Sequence, residues 1–529
     1  MTRKLPSCLL KNSTGLLQTL LFSAGFLMIA TASNAQSTVI LQADQPGDKI
    51  SKHIYGHFAE HLGRCIYDGI YVGDTSKSIP NTNGIRNDVI EALKKLKVAN
   101  LRWPGGCYAD IYHWKDGVGP KNKRTPIINR WWGNVTEDNS FGTHEFLELC
   151  KKIGAEPYLA GNMGSGTVRE LADWTEYVNA KAGTGPMARL REQNGQKEPW
   201  TVKYWGVGNE AWGCGGNMRP EFYANLYRQY ATFMTNWDNS DKIYRVASGS
   251  NGNDYNWTDV MMRDVPASMM EGLSLHHYAV INWSKKGSAT SFTEEQYFAT
   301  MKSALQMEEL VSRHSTIMDK YDRSKRVALV VDEWGGWYDV EPGTNPGFLY
   351  QQNTMRDAMI AGVTLNIFNN HCDRVRIANL AQTVNVLQAV ILTEKQKILL
   401  TPTYHVLEMY NVHQDAQLLP LTLRTPDYVY GTDKLPAVSV SASKDKEGLT
   451  HVSLVNIDAS KSQTLSIDLR GAAFNSVSGR ILQSAKIQDF NTFNEPEKVK
   501  PAIFNGAKLN GSKIDLTLPP FSVVVLTLK

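Results

Sequence analysis

The sequence predicts an α/β protein, a (β/α)8 TIM barrel with a C-terminal β-sandwich domain. Between about residues 50 and 400, eight apolar strand-like runs alternate with segments of helical period, as parallel strands joined by crossover helices require. Beyond about residue 436 the pattern becomes short alternating strands separated by Asp, Gly, Ser and Asn clusters, the signature of a sandwich. All thirteen tryptophans lie between Trp103 and Trp337 and none in the last 192 residues. That asymmetry separates a working domain from a packing one.

Residues 1–35 stand apart from the fold. They combine Arg3, Lys4 and Lys11, an apolar run from Leu16 to Ala30, and Ser33-Asn34-Ala35, the layout of a secretory signal peptide with a small-x-small cleavage site. Gln18, Thr19 and Ser23 interrupt the run, which is too short for a stable membrane span of roughly 20 apolar residues. The expectation is a mature chain of 494 residues starting at Gln36, secreted or periplasmic. Its 53 basic and 52 acidic residues leave a charge of +1, which asks for neither nucleic acid nor an anionic membrane. Five cysteines remain, Cys65, Cys107, Cys150, Cys214 and Cys372, widely spaced and without a C-x-x-C. No disulfide framework is expected, and a single bridge stays open.

The barrel runs are 54–62, 99–106, 156–163, 202–210, 243–250, 273–278, 326–334 and 375–385. Helical segments fall at 87–97, 143–154, 168–180, 219–237 and 353–371. A doubly wound open sheet is the alternative, but no G-x-G-x-x-G or P-loop follows any of these strands, so nucleotide cofactors are not indicated. In the tail, strands are expected at 437–443, 449–457, 463–469 and 513–528.

Active groups of such barrels sit at the C-terminal strand ends. The fourth run closes on Gly208-Asn209-Glu210 and the seventh on Asp332-Glu333-Trp334. By alternation Glu210 shares a face with Gly208, Gly206 and Tyr204, and Glu333 shares one with Val331. Two converging carboxylates suit glycoside hydrolysis, in which one protonates the leaving oxygen and the other attacks carbon or activates water.

His57, Glu60 and His61 spell H-x-x-E-H, the inverted zinc-protease motif. On a strand the two histidines stand about 13 Å apart at roughly 3.3 Å per residue, too far to share one ion at about 2 Å from each ligand. No metal is expected there.

The combination GHFAEHLGR, LRWPGG, GVGNE, SLHHY, DEW and RIANLAQTVNV resembles the α-L-arabinofuranosidases of glycoside hydrolase family 51, from about residue 40 to the C terminus. The resemblance implies a retaining, exo-acting enzyme without a cofactor, acting on arabinose-containing polysaccharides or oligosaccharides such as arabinan and arabinoxylan. It makes Glu210 the acid/base and Glu333 the nucleophile. Asn209 would bond the hydroxyl beside the anomeric carbon, and Glu60 and Gln382 would bind the arabinose. It also implies a homo-oligomer, and a sandwich that borrows a strand from residues 36–50, with the barrel at 51–400 and the rest of the sandwich at 401–529. Many members carry asparagine where this chain has Cys107, a weaker hydrogen-bonding group; His277, where glutamine is frequent, is a smaller departure. Neither departure is expected to touch the two glutamates.

Further pocket candidates are Tyr278, whose hydroxyl can hold Glu333, and His276 on the same strand. Trp334, with Trp103 and Trp337, offers an aromatic face for sugar stacking. The loop 113–140 is long enough to shape substrate choice or an oligomer contact. The rival readings are an endo-β-glucanase or xylanase with the same glutamate pair, and a non-catalytic carbohydrate-binding protein, which would lack one of the two glutamates.

Overall fold

The computed structural model describes residues 36–237 and 242–529; the expected signal peptide and its cleavage site lie outside the described residues. All eight barrel runs form strands: β1 (Gly56–Phe58), β2 (Asn100–Trp103), β3 (Glu156–Gly161), β4 (Tyr204–Val207), β5 (Tyr244–Asn251), β6 (Gly272–Ala279), β7 (Ala328–Gly336) and β8 (Val375–Ala381). Each pairs in parallel with the next, and β8 pairs with β1 to close the barrel. The polar residues at their C-terminal ends therefore face one mouth.

Two strands end earlier than the apolar pattern indicates. The first run holds only three strand residues, after the 3-10 turn Lys52–Tyr55, so Glu60 sits on the following loop. β4 stops at Val207, because Gly208 and Glu210 take positive φ angles of 81° and 40°. Left-handed backbone ends strand alternation, so Glu210 does not share a face with Gly206 by the pleat as the pattern predicts. Its placement is a property of the turn, which costs a non-glycine residue about 1–3 kcal/mol.

The predicted helices form as Asn87–Lys95, Thr143–Ile153, Val168–Asn179, Pro220–Phe233 and Met355–Asn370. Four others among the described residues lie outside the predicted segments: Pro186–Gln193, Tyr255–Asp264, Glu294–Tyr321 and Pro402–Tyr410. Glu294–Tyr321 starts on a capping box, in which Thr293 and Gln296 satisfy each other's backbone N–H, and that local signal was present in the sequence. Met355–Asn370 is buried on all sides. It packs on the barrel, and Asn366 and Asn369 bond Ser439 and Ser441 of the sandwich, which explains its lack of a polar face.

The sandwich consists of a five-stranded and a six-stranded sheet. Ser37–Gln42 joins the former, parallel to Gln463–Arg470 and antiparallel to Leu421–Arg424. The single run predicted at 513–528 divides at Pro519-Pro520 into Lys513–Leu518 and Ser522–Leu528, one in each sheet. Proline cannot donate to a ladder, so the chain changes sheets there. Among the described residues no helix is long and apolar enough to cross a membrane.

Candidate active site

The end of β7 departs from regular pairing, with register shifts against β6 between Ser274 and His276 and against β8 between Val331 and Trp334. Such irregularity re-aims side chains. Consecutive residues Asp332 and Glu333 both reach the interior network, Asp332 accepting from Tyr158 Oη at 3.0 Å and Glu333 accepting from Arg102 Nη1 at 2.9 Å. Tyr278 Oη donates to the second Glu333 oxygen, Oε2, at 2.8 Å. Glu333 is thus held at both oxygens, with a permanent cation beside it.

Arg102 also donates through Nη2 to Asn209 Oδ1 at 2.6 Å and lies 4.5 Å over the Phe58 ring. Burial disfavours its charge, but Asp332 and Glu333 more than compensate and hold its pKa above the ordinary value. Burial would likewise raise Asp332, yet Arg102 and His276 pull it below the usual carboxylate range.

Glu210 lies at the mouth, with Oε1 2.8 Å from His276 Nδ1, while His276 Nε2 stands 2.9 Å from Asp332 Oδ1. Burial lowers the imidazole pKa, but Glu333, Asp332 and Glu210 outweigh it and push it up to about 10. At neutral pH, Arg102 and His276 are both positively charged beside this carboxylate cluster. Burial and the nearby Glu333 raise the Glu210 pKa, against the opposing pull of His276 and Arg102.

Asp110, on the 3-10 segment Cys107–Ile111, accepts from the backbone N–H groups of Met163, Gly164 and Asn209 at 2.7, 2.8 and 2.9 Å. It ties the ends of β3 and β4 together and so fixes the Gly-Asn-Glu turn. Burial raises its carboxyl to about 7 despite those three donors.

Glu60 accepts from Tyr108 N at 3.0 Å, from Trp132 Nε1 at 2.9 Å and from Gln382 Nε2 at 2.9 Å. Burial, reinforced by Glu333, raises its pKa to about 7. At Gly106 an added Cβ would stand 3.1 Å from Glu333 Oε1 and 3.2 Å from Glu60 Oε1, so a side chain there would press on both carboxylates. These groups border a narrow recess of about 50 Å³, whose walls include Glu60, Cys107, Trp132, Glu210, Glu333 and Gln382. A wider cleft of about 550 Å³ adjoins it, and Glu210, Tyr278 and Trp337 line both.

Comparison with known proteins agrees with this geometry. The family model described as "Alpha-L-arabinofuranosidase 1 domain" matches residues 92–295, and "Alpha-L-arabinofuranosidase C-terminal domain" matches 332–522. A Bacteroides ovatus protein named intracellular exo-alpha-L-arabinofuranosidase is 51% identical, over 96% of this chain and 99% of its own. The crystal structure of the GH51 arabinofuranosidase from Xanthomonas axonopodis pv. citri superposes with a TM-score of 0.92 at 48% identity, over 93% of this chain and 100% of that one. The chain belongs to the α-L-arabinofuranosidases of glycoside hydrolase family 51. The Thermotoga maritima α-L-arabinofuranosidase, solved as an arabinose complex, is similar at TM-score 0.82 and 31% identity, over 93% and 99% of the two chains.

The expectation that this arabinofuranosidase is secreted or periplasmic is corrected by the same comparison, because the B. ovatus relative is named intracellular. The physical reason lies in the leader-like segment itself. Its apolar run is interrupted by Gln18, Thr19 and Ser23, and hydropathy reports what a segment can partition into, not where the chain resides.

The structure gathers Glu60, Cys107, Glu210, Tyr278, Glu333 and Gln382 around the family 51 recess, and Asn209 and His276 directly behind it. Two expectations need correction. Trp334 is 1% exposed, and its ring packs edge-on at 5.6 Å from Phe368. It faces the helix layer because Glu333 faces inward, and Trp337 lines the recess in its place. Trp103 is likewise buried, stacked at 4.9 Å on Phe146.

Cys107 offers no thiol to a sugar, since it is disulfide-bonded to Cys214. Contrary to the expectation that it stands clear of the glutamates, the two sulfurs lie 3.9 and 3.5 Å from Glu210 Oε2. The partners are 107 residues apart, and only the convergence of the β2 and β4 loops joins them.

H-x-x-E-H is divided between two environments. Glu60 enters the recess, while His61 stacks on Tyr108 at 4.7 Å among Tyr67, Trp103 and Phe141. Arg102, Asp110, Trp132 and Asp332 were not identified from sequence. The available signals were a lone arginine inside an apolar strand and an acid preceding Glu333.

Proposed function

We propose that this enzyme releases terminal non-reducing α-L-arabinofuranosyl residues from arabinose-containing plant polysaccharides or oligosaccharides, acting from the chain end and retaining anomeric configuration. The observation that carries the reading is the closeness of the two carboxylates. Glu210 and Glu333 each present an oxygen within 4.8 Å of the other and of a shared His276 nitrogen. Retaining enzymes hold their carboxyl groups about 5–5.5 Å apart, whereas inverting ones leave about 6.5–9.5 Å for a water.

In this reading Glu333, oriented by Arg102 and Tyr278, attacks the anomeric carbon. Glu210 gives its proton to the departing glycosidic oxygen as that bond breaks, leaving an arabinosyl ester on Glu333 and an ionised Glu210. Glu210 then takes a proton from water as its oxygen attacks the same carbon, and Glu333 departs as carboxylate. Glu60, with Gln382 and Trp132, binds hydroxyls of the glycone. Asn209, its Oδ1 engaged by Arg102 and its Nδ2 donating one hydrogen to Cys214 Sγ at 3.8 Å, has a second N–H for the hydroxyl beside the reacting carbon. The narrowness of the recess supports a single sugar there and hence exo action.

The division of labour follows the same reading, with the barrel over 51–400 performing the chemistry and the sandwich over 401–529, completed by 36–50, supporting it. A homo-oligomer is included, supported by Ile128 and Trp131, which are 62% and 40% exposed on the 113–140 loop; light scattering measures it directly. The mechanism is tested by turnover of an aryl α-L-arabinofuranoside in methanol. Methyl α-L-arabinofuranoside as first product is expected, and the β anomer would overturn retention.

A further inference from the structure

We propose that Phe348 and Leu349 determine how many sugars this enzyme holds on the glycone side of the scissile bond. The wall they build confines the recess to one residue, and a sugar-sized cavity lies directly behind it. This rests on the assignment of the recess to the glycone and names the side chains that impose exo action.

The wall is one residue layer thick. Phe348 and Tyr350 line a cavity of about 220 Å³, whereas Leu349 between them lines the recess. The neighbouring segment repeats the arrangement, with Asn385 on the cavity and Leu387 on the recess. The two segments are joined, since Leu387 N donates to the Leu349 carbonyl at 3.0 Å. The 550 Å³ cleft that adjoins the recess at Glu210 shares no lining residue with this cavity, so the two meet the recess on different sides. The cavity is smaller than the roughly 300–1,000 Å³ of sites for drug-sized ligands, which suits a single sugar.

Phe348 holds the wall shut. It ends the short 3-10 turn Pro346–Phe348 and is seated between two glycines. A Cβ at Gly63 would stand 2.8 Å from Phe348 Cβ, and one at Gly133 would stand 2.6 Å from the phenyl ring. A side chain at either position would therefore displace Phe348. Each contact adjoins a residue of the recess: Leu62 precedes Gly63, Trp132 precedes Gly133 and Leu349 follows Phe348. Trp132 also donates to Glu60 at 2.9 Å. One phenyl group thus fixes recess residues from three separate loops.

The backbone of the wall is strained. Leu349 and Leu387 have φ angles of 48° and 49°, in the left-handed region that leucine rarely adopts. Such conformations persist where the surrounding structure over-determines them, and they cluster at ligand sites. Here they accompany two leucines that face the recess while Phe348, Tyr350 and Asn385 face the cavity. The cavity itself has the composition of a sugar site, combining aromatic rings with hydrogen-bonding groups. The Arg64 guanidinium lies 5.9 Å over the Tyr350 ring, and its Nε has no hydrogen-bond partner among the described residues. Asn385 and Phe493 complete that side.

The test uses nitrophenyl α-L-arabinobiosides in which the outer sugar is attached through O2, O3 or O5 of the inner one. The unmodified enzyme should remove the outer arabinose first and release nitrophenol only after a lag. Phe348→Ala and Leu349→Gly should release nitrophenol together with intact arabinobiose, without a lag, from at least one isomer. The ratio of disaccharide to monosaccharide release should rise roughly 10-fold or more. Glycine at position 349 accepts the left-handed backbone, so Leu349→Gly opens the wall even if Phe348→Ala fails to fold. Release of intact arabinobiose by the unmodified enzyme overturns the proposal, as does a Leu349→Gly variant that hydrolyses nitrophenyl arabinofuranoside yet yields no arabinobiose. If the unmodified enzyme released no arabinose from nitrophenyl arabinofuranoside, the underlying assignment would fail instead.

Discussion

His276 Nδ1 stands 2.8 Å from Glu210 Oε1, and the same nitrogen is 3.5 Å from Glu333 Oε2. One imidazole therefore spans both carboxylates while its other nitrogen is anchored on Asp332. Glu210 must be protonated to act as acid, so kcat/KM declines on the alkaline side as Glu210 ionises. His276, charged up to about pH 10, stabilises ionised Glu210 and opposes the upward shift from burial. Removing it in His276→Asn should raise the Glu210 pKa further and move the alkaline limb to higher pH. The variant should also lose kcat within the roughly 10²–10⁴-fold range of general acid–base assistance. A limb that stays put or moves down in the pH–rate profile would refute this coupling.

Glu333→Ala should abolish turnover of every substrate. Glu210→Ala should lose roughly 10²–10⁴-fold on polysaccharide yet retain a first burst on aryl glycosides whose leaving group needs no proton. Azide, which attacks without a general base, should restore turnover to the Glu210 variant alone. Stopped-flow bursts and azide rescue decide this, and rescue of the Glu333 variant to a retained product would reverse the two roles.

Arg102 is buried between Asp332 and Glu333. Arg102→Met leaves the two buried carboxylates with His276 as their one adjoining cation among the described residues, which should cost about 3–5 kcal/mol of stability and lower the urea midpoint accordingly. A loss below about 1 kcal/mol, as for an exposed pair, would show that the arginine is not what neutralises them.

The Cys107–Cys214 bridge closes a loop across a separation of 107 residues. Replacing both cysteines with serine should cost about 2–5 kcal/mol in denaturant unfolding. It should also weaken catalysis through Glu210, against which both sulfurs pack. Unchanged kcat in a destabilised double variant would confine the bridge to a structural role.

Much of this was legible because it is local. Eight strands and five helices follow from periodicities of the chain, and Glu210 and Glu333 from their positions at strand ends. The helix Glu294–Tyr321 was legible in its capping box, although its apolar pattern did not disclose it. By contrast, Trp334 looked like a sugar platform because it adjoins Glu333, and adjacency on a strand places neighbours on opposite faces. Asp332 then evades the same rule through the irregular pairing of β7.

The sequence by itself determined the barrel, the sandwich, the pair of glutamates and the family, since periodicity, turn residues and short motifs are carried by consecutive residues. Only the tertiary structure decided which charges stand beside Glu333, that Cys107 pairs with Cys214, and that His276 serves both carboxylates. Those relationships join residues from different strands and loops, and closure of the barrel brings them within a few ångströms where low dielectric makes each charge depend on its neighbours.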